Sequence, residues 1–198
     1  MNRYRRILKN FAGPAAGCLP DGIDPSDADI WFQDETRVGQ QGGLTRRRAE
    51  KGTRPGAVRQ RQFIYAYIDG AVCPDRGTAA GLVLPCVNTA AMKLHIQEIS
   101  RHVPEGGHAL VVADGAARHS EKLNCRNVTL LKLPPYSPGL NPAERIRQYL
   151  EQNRLSNRAY KNYEEISAAC CDARNRSAEA PERITRMCSR KWAVVNRS

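Results

Sequence analysis

Residues 133–145, with the sequence LPPYSPGLNPAER, lead from a predicted strand through four prolines into a predicted helix. Asn141 is a favoured N-cap type and Pro142 suits the first helical position. Glu144 then falls at the third position, where its side chain can close a capping box. The rigid loop would also fix the direction from which the Glu144 carboxylate enters a site built by other elements. Both interpretations stay open here, because the second requires partner side chains elsewhere in the chain.

The composition predicts a globular protein with a polyanionic partner. Of its 198 residues, 41% are hydrophobic and 26% are charged, which is ordinary for a folded domain. The net charge of +11 is not ordinary, and it favours nucleic acid or an anionic membrane surface over small neutral ligands. No apolar run approaches the roughly 20 residues that cross a bilayer, so no membrane partner is expected.

The seven cysteines include no CxxC pair, and no cysteine and histidine spacing suggests a metal site. A reduced, cytoplasmic protein with free thiols is the simplest account of them.

The order of predicted elements indicates a mixed α/β domain. Residues 1–29 are basic and then rich in Gly, Pro and Asp, which predicts an arm or linker. The domain is predicted to cover residues 30–192, followed by a tail at 193–198. Strands are expected at 30–34, 62–70, 79–85, 108–114 and 128–134, and helices at 88–103, 142–155, 162–177 and 181–191.

Three acidic residues are candidates for one site. Asp34 and Asp114 each end a hydrophobic run, and Glu144 opens a helix after the next strand. Their oxygens are hard ligands suited to magnesium or manganese, and two such ions can promote phosphodiester chemistry. Each acid alone could instead serve as a turn or cap residue. Glu35 should face away from Asp34 if the strand continues, although the sequence alone does not exclude it as the ligand.

Five segments together closely resemble the catalytic domain of DDE transposases, in the bacterial insertion-sequence branch related to Tc/mariner elements. In chain order they are WFQDETRVGQ (31–40), RRRAEKGTRP (46–55), YAYIDGAVCP (65–74), VVADGAARHS (111–120) and LPPYSPGLNPAERI (133–146). The resemblance runs from about Trp31 to Trp192. It implies a ribonuclease-H-like mixed sheet flanked by helices, with additional C-terminal helices.

The resemblance also implies an activity and its cofactors. Asp34, Asp114 and Glu144 match the family's catalytic acids, which bind two divalent metal ions, magnesium or manganese as its substitute. The implied reaction is metal-dependent cleavage of DNA at the ends of the insertion sequence, followed by strand transfer to target DNA. The proline-rich loop would then aim Glu144 at metals held by two strand ends.

The expected partners follow from the same resemblance. They are double-stranded DNA, both transposon ends and target, and a helix-turn-helix region that reads the ends. That region is expected from upstream or from a separate chain, because this sequence starts almost at the first catalytic strand. A homodimer is compatible with the family, and the protein would associate with the bacterial nucleoid.

A basic stretch between the first two long strands suits phosphate contacts, although charge runs are often only solvated. His119, five residues after Asp114, could orient a phosphate or a water, or be structural. The candidate DNA-binding residues are Arg46, Arg47, Arg48, Lys51, Arg54, Arg59, Arg61 and His119.

Four arginines depart from the family, which has Trp at the positions of Arg48, Arg118, Arg147 and Arg174. If these side chains were buried without partners, each guanidinium would cost several kcal/mol in the free energy of folding. If they faced DNA, they would instead add positive charge that is useful for binding. Two alternatives to an active transposase are therefore a catalytically silent, truncated fragment that binds DNA non-specifically, and another ribonuclease-H-like nuclease.

Overall fold

A computed structural model of the chain describes residues 17–24, 27–41, 43, 45, 48–53, 56, 60–114, 125–133 and 141–189. Within these ranges the structure has five strands and four α-helices, in the order that the sequence predicts. In chain order they are β1 (Ala28–Gly39), β2 (Tyr65–Cys73), β3 (Thr78–Leu84), α1 (Thr89–His102), β4 (His108–Ala113), β5 (Val128–Lys132), α2 (Ala143–Leu150), a π-helical turn (Glu151–Leu155), α3 (Tyr163–Ala178) and α4 (Pro181–Cys188).

The five strands form one mixed sheet with the order β3-β2-β1-β4-β5. The β1–β2 and β2–β3 pairs are antiparallel, which suits the short turn between β2 and β3. The β1–β4 and β4–β5 pairs are parallel, and α1 lies between β3 and β4 in the chain. Strand β1 therefore lies at the centre of the sheet, paired on both sides.

Helices cover both faces of the sheet, and each face has its own core. On one face, Trp31, Val111 and Cys73 pack against Met92, Ile96 and Ile99 of α1. On the other face, alternate strand residues pack against α2, α3 and α4. That second core includes Ile30, Phe32, Ile68, Leu110, Val112, Ile146, Leu150, Ile166 and Ile184. Because side chains alternate along a strand, each strand position is assigned to one of these faces.

Helix α1 is close to its predicted range of 88–103. The sequence offers Asn88 or Thr89 as its N-cap, and the structure has Asn88, whose side chain accepts a hydrogen bond from the main-chain N–H of Ala91 at 2.8 Å. Its buried residues recur at helical spacing, as the sequence indicates.

Strand β1 is longer than the predicted range of 30–34 at both ends. It begins at Ala28, so the boundary of the arm at residue 29 is wrong, because Ala28 and Asp29 are buried strand residues. It continues to Gly39 because β2 pairs with it as far as Tyr65. Pairing with neighbouring strands thus overrides the polar character of residues 33–37.

None of the helices within the described residues is long and apolar enough to cross a membrane. The tail at 193–198 and most of the predicted arm lie outside the described residues.

Candidate active site

Asp34 lies on the sheet face covered by α2, and Asp114 follows the end of the neighbouring strand β4. The parallel register places Phe32 opposite Val112, and each acid follows two residues later in the chain. Phe32 belongs to the α2-side core, so the alternation along β1 directs Asp34 to that face, and Asp114 is close enough for its charge to raise the pKa of Asp34. Asp114 directly follows the last residue of β4, as predicted, whereas Asp34 lies within β1 and not at its end.

Glu35 belongs to the opposite face. Asp34 and Thr36 both bond to residues on the α2 side, at Arg147 and Glu151 respectively, so the residue between them is directed towards the other face. The main-chain N–H of Glu35 nevertheless donates to Oδ1 of Asp34 at 2.9 Å. The orientation expected for Glu35 is the one that the structure has.

The start of α2 is attached to β1 by a buried asparagine. The Asn141 side-chain amide donates to the main-chain carbonyl of Gln33, the residue before Asp34. The Oδ1 atom of Asn141 also accepts from the N–H of Ala143 at 3.1 Å. Asn141 therefore links the first turn of α2, which contains Glu144, to the middle of β1.

The capping box predicted from the sequence is wrong in its details. The helix begins at Ala143, and Pro142 occupies the cap position with helical dihedral angles. The Glu144 carboxylate turns along the helix, where Oε1 accepts from Arg147 at 3.2 Å and from Gln148 at 3.3 Å. A neighbouring guanidinium attracts the carboxylate more strongly than a main-chain N–H does.

Arg147 lies at the centre of the acidic side chains. Its Nε donates to Oδ2 of Asp34 at 2.9 Å, its Nη2 contacts Glu144 at 3.2 Å and its Nη1 contacts Glu151 at 3.1 Å. Thr36 donates a further hydrogen bond to the same Glu151 oxygen at 2.6 Å. One cation thus binds three carboxylates from a strand and a helix.

Burial and charge oppose each other at this ion pair. Burial raises the pKa of the Asp34 carboxyl, the Arg147 guanidinium lowers it, and the charge of Asp114 raises it again; the net pKa lies above the usual value. Burial by itself lowers the pKa of Arg147, but the charges of Asp34 and Glu151 outweigh it and the pKa is raised. The raised pKa of Asp34 indicates that the cost of desolvating its carboxylate outweighs the stabilisation that the Arg147 cation supplies.

The acidic residues suit a metal by chemistry, but they do not form a finished metal site. Among the described residues, no three Asp, Glu, His or Cys side chains converge closely enough to hold an ion. Asp34 and Glu144 meet at the Arg147 guanidinium instead. The oxygen donors fit a hard divalent cation, and an internal cation already contacts two of them.

The basic residues expected to contact DNA are only partly described. Arg48, Lys51 and Arg61 are exposed on the segment between β1 and β2. The remaining candidates lie outside the described residues: Arg46, Arg47, Arg54, Arg59 and His119.

Two of the four arginine departures are partly buried and paired. The first is Arg147. The second is Arg174 of α3, which donates to the carbonyl of Gly81 at 2.7 Å and to the Asn175 side chain at 2.6 Å. Arg48 is exposed and Arg118 lies outside the described residues. Arg147 and Arg174 are therefore partly internal and do not simply face solvent or DNA. Their hydrogen bonds offset part of the cost of burying each guanidinium.

Sequence reasoning did not identify Asn141, Thr36 and Glu151 as residues of the site. Asn141 was interpreted only as a cap, and Thr36 and Glu151 carried no signal. Arg147 was noticed in the sequence only as a departure from the family, because the resemblance implies Trp at that position. Its pairing with Asp34 could not be found without the tertiary structure.

The chain is similar in sequence to known proteins. The family described as DDE superfamily endonuclease matches residues 29–167. An uncharacterized protein, y4pE/y4sA of Sinorhizobium fredii (strain NBRC 101917 / NGR234), is 46% identical over 132 residues, which are 66% of this chain and 98% of that protein.

The fold is similar to that of Mos1 transposase. A crystal structure of the mariner Mos1 paired end complex with Mg matches with a TM-score of 0.57 and 15% identity, over 95% of this chain and 62% of that one. A Mos1 paired-end complex with the left transposon end matches with a TM-score of 0.55 and 13% identity, over 94% and 62%. The likeness confirms the predicted ribonuclease-H-like fold, and the chain spans about 62% of the length of these Mos1 chains.

Proposed function

Because the chain belongs to the DDE superfamily of endonucleases, we propose that it is the catalytic domain of a transposase that cuts DNA at insertion-sequence ends and joins it to target DNA. One observation carries the proposal. Asp34 on β1 and Asp114, just after the adjacent parallel strand β4, are close enough to interact electrostatically, and Glu144 enters the same face as Asp34 from the start of α2. The complexes of Mos1 with transposon ends support DNA as the substrate.

Asp34, Asp114 and Glu144 would hold two divalent metal ions, magnesium or manganese in its place. When bound, such ions supply the positive charge that lowers the pKa of an attacking water and stabilises the leaving oxygen. The chain's own contribution is to position the oxygens: β1 and β4 fix the two aspartates, and Asn141 fixes the first turn of α2.

The proposed reaction has two steps at phosphorus. In cleavage, a water oxygen bonds to the phosphorus, the bond to the 3′ oxygen breaks, and a proton ends on that oxygen to give a free 3′-hydroxyl. In strand transfer, this hydroxyl oxygen bonds to a target phosphorus and the target's own 3′ oxygen leaves with a proton. Because the protein stays outside the covalent chemistry, both steps can use the same carboxylates.

Exposed basic residues between β1 and β2 would contact the phosphates beside the cleaved bond. Arg48, Lys51 and Arg61 extend from the described part of this segment, and the chain's net charge of +11 favours the same partner. In the paired-end complexes of Mos1 two transposon ends are brought together, so a second copy of this chain is the proposed partner for synapsis.

The proposal is tested by cleavage of a supercoiled plasmid that carries the element's ends, with an end-reading domain supplied in trans. Asp34→Asn, Asp114→Asn and Glu144→Gln should each lower the nicking rate at least about 100-fold, because each removes a metal-binding oxygen at nearly constant shape. DNA binding should stay equal or tighten slightly, since a charge that repels phosphate is lost.

Glu35→Gln is the matched control, because Glu35 is the next residue of β1 and faces away from Arg147. It should nick at the parent rate. A Glu144→Gln protein that cuts as fast as the parent would show that the proposed acids are not the catalytic set.

The choice of metal gives a second readout of the same site. Chelation with EDTA should stop nicking, and manganese should restore it better than magnesium. Magnesium demands near-ideal octahedral coordination, which a site partly occupied by a guanidinium supplies poorly. Equal rates with both ions over a range of concentrations would count against this expectation.

A further inference from the structure

We propose that Arg147 is a built-in competitor for the metal at the Asp34–Glu144 site, and that Glu151 receives its guanidinium when a divalent cation binds. The inference rests on the proposed function, because it concerns the same carboxylates. It adds a residue that sets metal affinity and a second residue, Glu151, that makes the exchange possible.

The first support is that protein donors already engage both oxygens of Asp34. Oδ1 accepts from the main-chain N–H of Glu35 at 2.9 Å, and Oδ2 accepts from Nε of Arg147 at 2.9 Å. The main-chain bond can persist while an oxygen binds a cation, because carboxylate oxygens have several acceptor sites. The guanidinium cannot stay, because its positive charge would face a divalent cation at contact distance.

The second support is that Arg147 also contacts Glu144. Its Nη2 lies 3.2 Å from Oε1 of that residue, so the same guanidinium bridges two of the three proposed metal ligands. No three metal-binding side chains converge within the described residues, and this bridge explains why Asp34 and Glu144 do not meet directly. Displacing one side chain would free both carboxylates at once.

The third support is that the displaced guanidinium has a place to go. Glu151, one turn further along, already accepts from Nη1 of Arg147 at 3.1 Å. Thr36 holds the same Glu151 oxygen at 2.6 Å, so that carboxylate is fixed independently of Asp34. A cavity of about 200 Å³ adjoins both Arg147 and Asp34 and is lined in part by Ile146, Leu150 and Arg174, so the guanidinium has unfilled space beside it.

The exchange makes opposite predictions for two neighbouring residues. Removing the guanidinium by Arg147→Gln should strengthen metal binding, since the competitor is gone. Removing its receiving partner by Glu151→Gln should weaken metal binding, since the guanidinium then has only Asp34 and Glu144 to bind. A purely structural role for Arg147 would not produce this pair of opposite signs.

The test is titration of the full 198-residue chain with Mn²⁺, with free ion measured by electron paramagnetic resonance. Arg147→Gln should bind Mn²⁺ at least about tenfold more tightly than the parent, and Glu151→Gln more weakly by a factor of about 3 or more. Arg145→Gln is the matched control, because Arg145 is an exposed arginine of the same helix, and it should bind within about twofold of the parent.

Thermal unfolding gives a readout that does not depend on the titration. Without metal, Arg147→Gln should unfold at a lower temperature than the parent, because Asp34 loses its cation. The same excess of Mn²⁺ should raise its Tm by more than it raises that of the parent, because at a given ligand concentration tighter binding to the folded state stabilises it more. If Arg147→Gln does not fold, the Mn²⁺ affinities of Arg147→Lys and Glu151→Gln still test the exchange. If both of these variants bind Mn²⁺ with the affinity of the parent, the exchange is wrong.

The outcomes separate this inference from the proposed function. If Asp34→Asn abolishes Mn²⁺ binding but Arg147→Gln binds no more tightly than the parent, the competition is wrong and the metal site stands. If neither the parent nor Arg147→Gln binds Mn²⁺ more tightly than Asp34→Asn does, the metal site itself is wrong, and the competition falls with it.

Discussion

The side-chain amide of Asn141 donates a hydrogen bond to the main-chain carbonyl of Gln33, and this bond joins the start of α2 to the middle of β1. Asp34 is the next residue on the strand, and Glu144 lies in the first turn of the helix. A buried polar bond is therefore the attachment that sets how the third acid approaches the first. The rest of α2 is held by apolar contacts of Ile146 and Leu150 and by the ion pair between Arg147 and Asp34.

Asn141→Ala should reduce both stability and nicking. The substitution leaves the Gln33 carbonyl without its donor and the main-chain N–H of Ala143 without its acceptor, at an expected cost of about 1–3 kcal/mol in the free energy of unfolding. Urea denaturation measures the first effect and plasmid nicking the second. Asn153→Ala is the control, because Asn153 is exposed and bonds only within its own turn among the described contacts; its cost should stay below about 0.5 kcal/mol. Equal costs for the two variants would contradict the role given to Asn141.

DNA binding should be mostly non-specific and should weaken steeply with salt. Each basic side chain that contacts a phosphate contributes about 0.9 to the slope of log binding constant against log salt concentration. Arg48→Gln, Lys51→Gln and Arg61→Gln should each reduce that slope, whereas Lys93→Gln, at an exposed position on α1, should not. Fluorescence anisotropy with transposon-end and random duplexes measures both slope and preference. A strong preference for the ends that persists at high salt would show that this domain reads sequence.

His95 should make the protein less stable in mild acid. Burial lowers the pKa of this fully buried imidazole from 6.5 to about 4, so the unfolded chain binds a proton in the range where the folded one does not. The free energy of unfolding should therefore fall as pH drops from 6.5 towards 4, by up to about 1.4 kcal/mol per pH unit. Urea denaturation at several pH values measures the slope.

Two substitutions at His95 separate titration from polarity. His95→Leu and His95→Gln should both flatten the slope, because neither side chain titrates. Only His95→Leu should match or exceed the parent at neutral pH, since both ring nitrogens are buried and have no hydrogen-bond partner in the described structure. An unchanged slope in both variants would assign the acid sensitivity to other groups.

Gly77 should tolerate alanine less well than Gly106 does. Both have positive φ angles, 61° and 75°, so both substitutions carry a left-handed strain of about 1–2 kcal/mol. A Cβ at Gly77 would also lie 2.9 Å from the carbonyl oxygen of Pro181, whereas one at Gly106 meets nothing within 4 Å. Thermal denaturation should show the larger loss for Gly77→Ala, because the β2–β3 turn must then move away from the start of α4. Equal losses would mean that the contact is easily relieved.

Local sequence patterns predict the elements and their order. Apolar runs rich in branched and aromatic residues predicted the strands, helical spacing with Asn88 or Thr89 as cap predicted α1, and the acid after VVA predicted Asp114 at the end of β4. The motifs around Asp34 and Glu144 indicated the family, which the match over residues 29–167 confirms. These features depend on a residue and its near neighbours, and propensity and periodicity act over that range.

The tertiary structure decided where those elements meet. Strand β1 extends past Asp34 because β2 pairs with it. The hydrophobicity of residues 35–39 does not predict that pairing. Asn141 bonds to a carbonyl 108 residues away, and Arg147 to a carboxylate 113 residues away. Whether Arg147 faced DNA or the interior therefore depended on how a helix packs against a distant strand. A partly buried guanidinium needs partners to offset its desolvation, and for Arg147 only the folded chain brings Asp34, Glu144 and Glu151 to the same side chain.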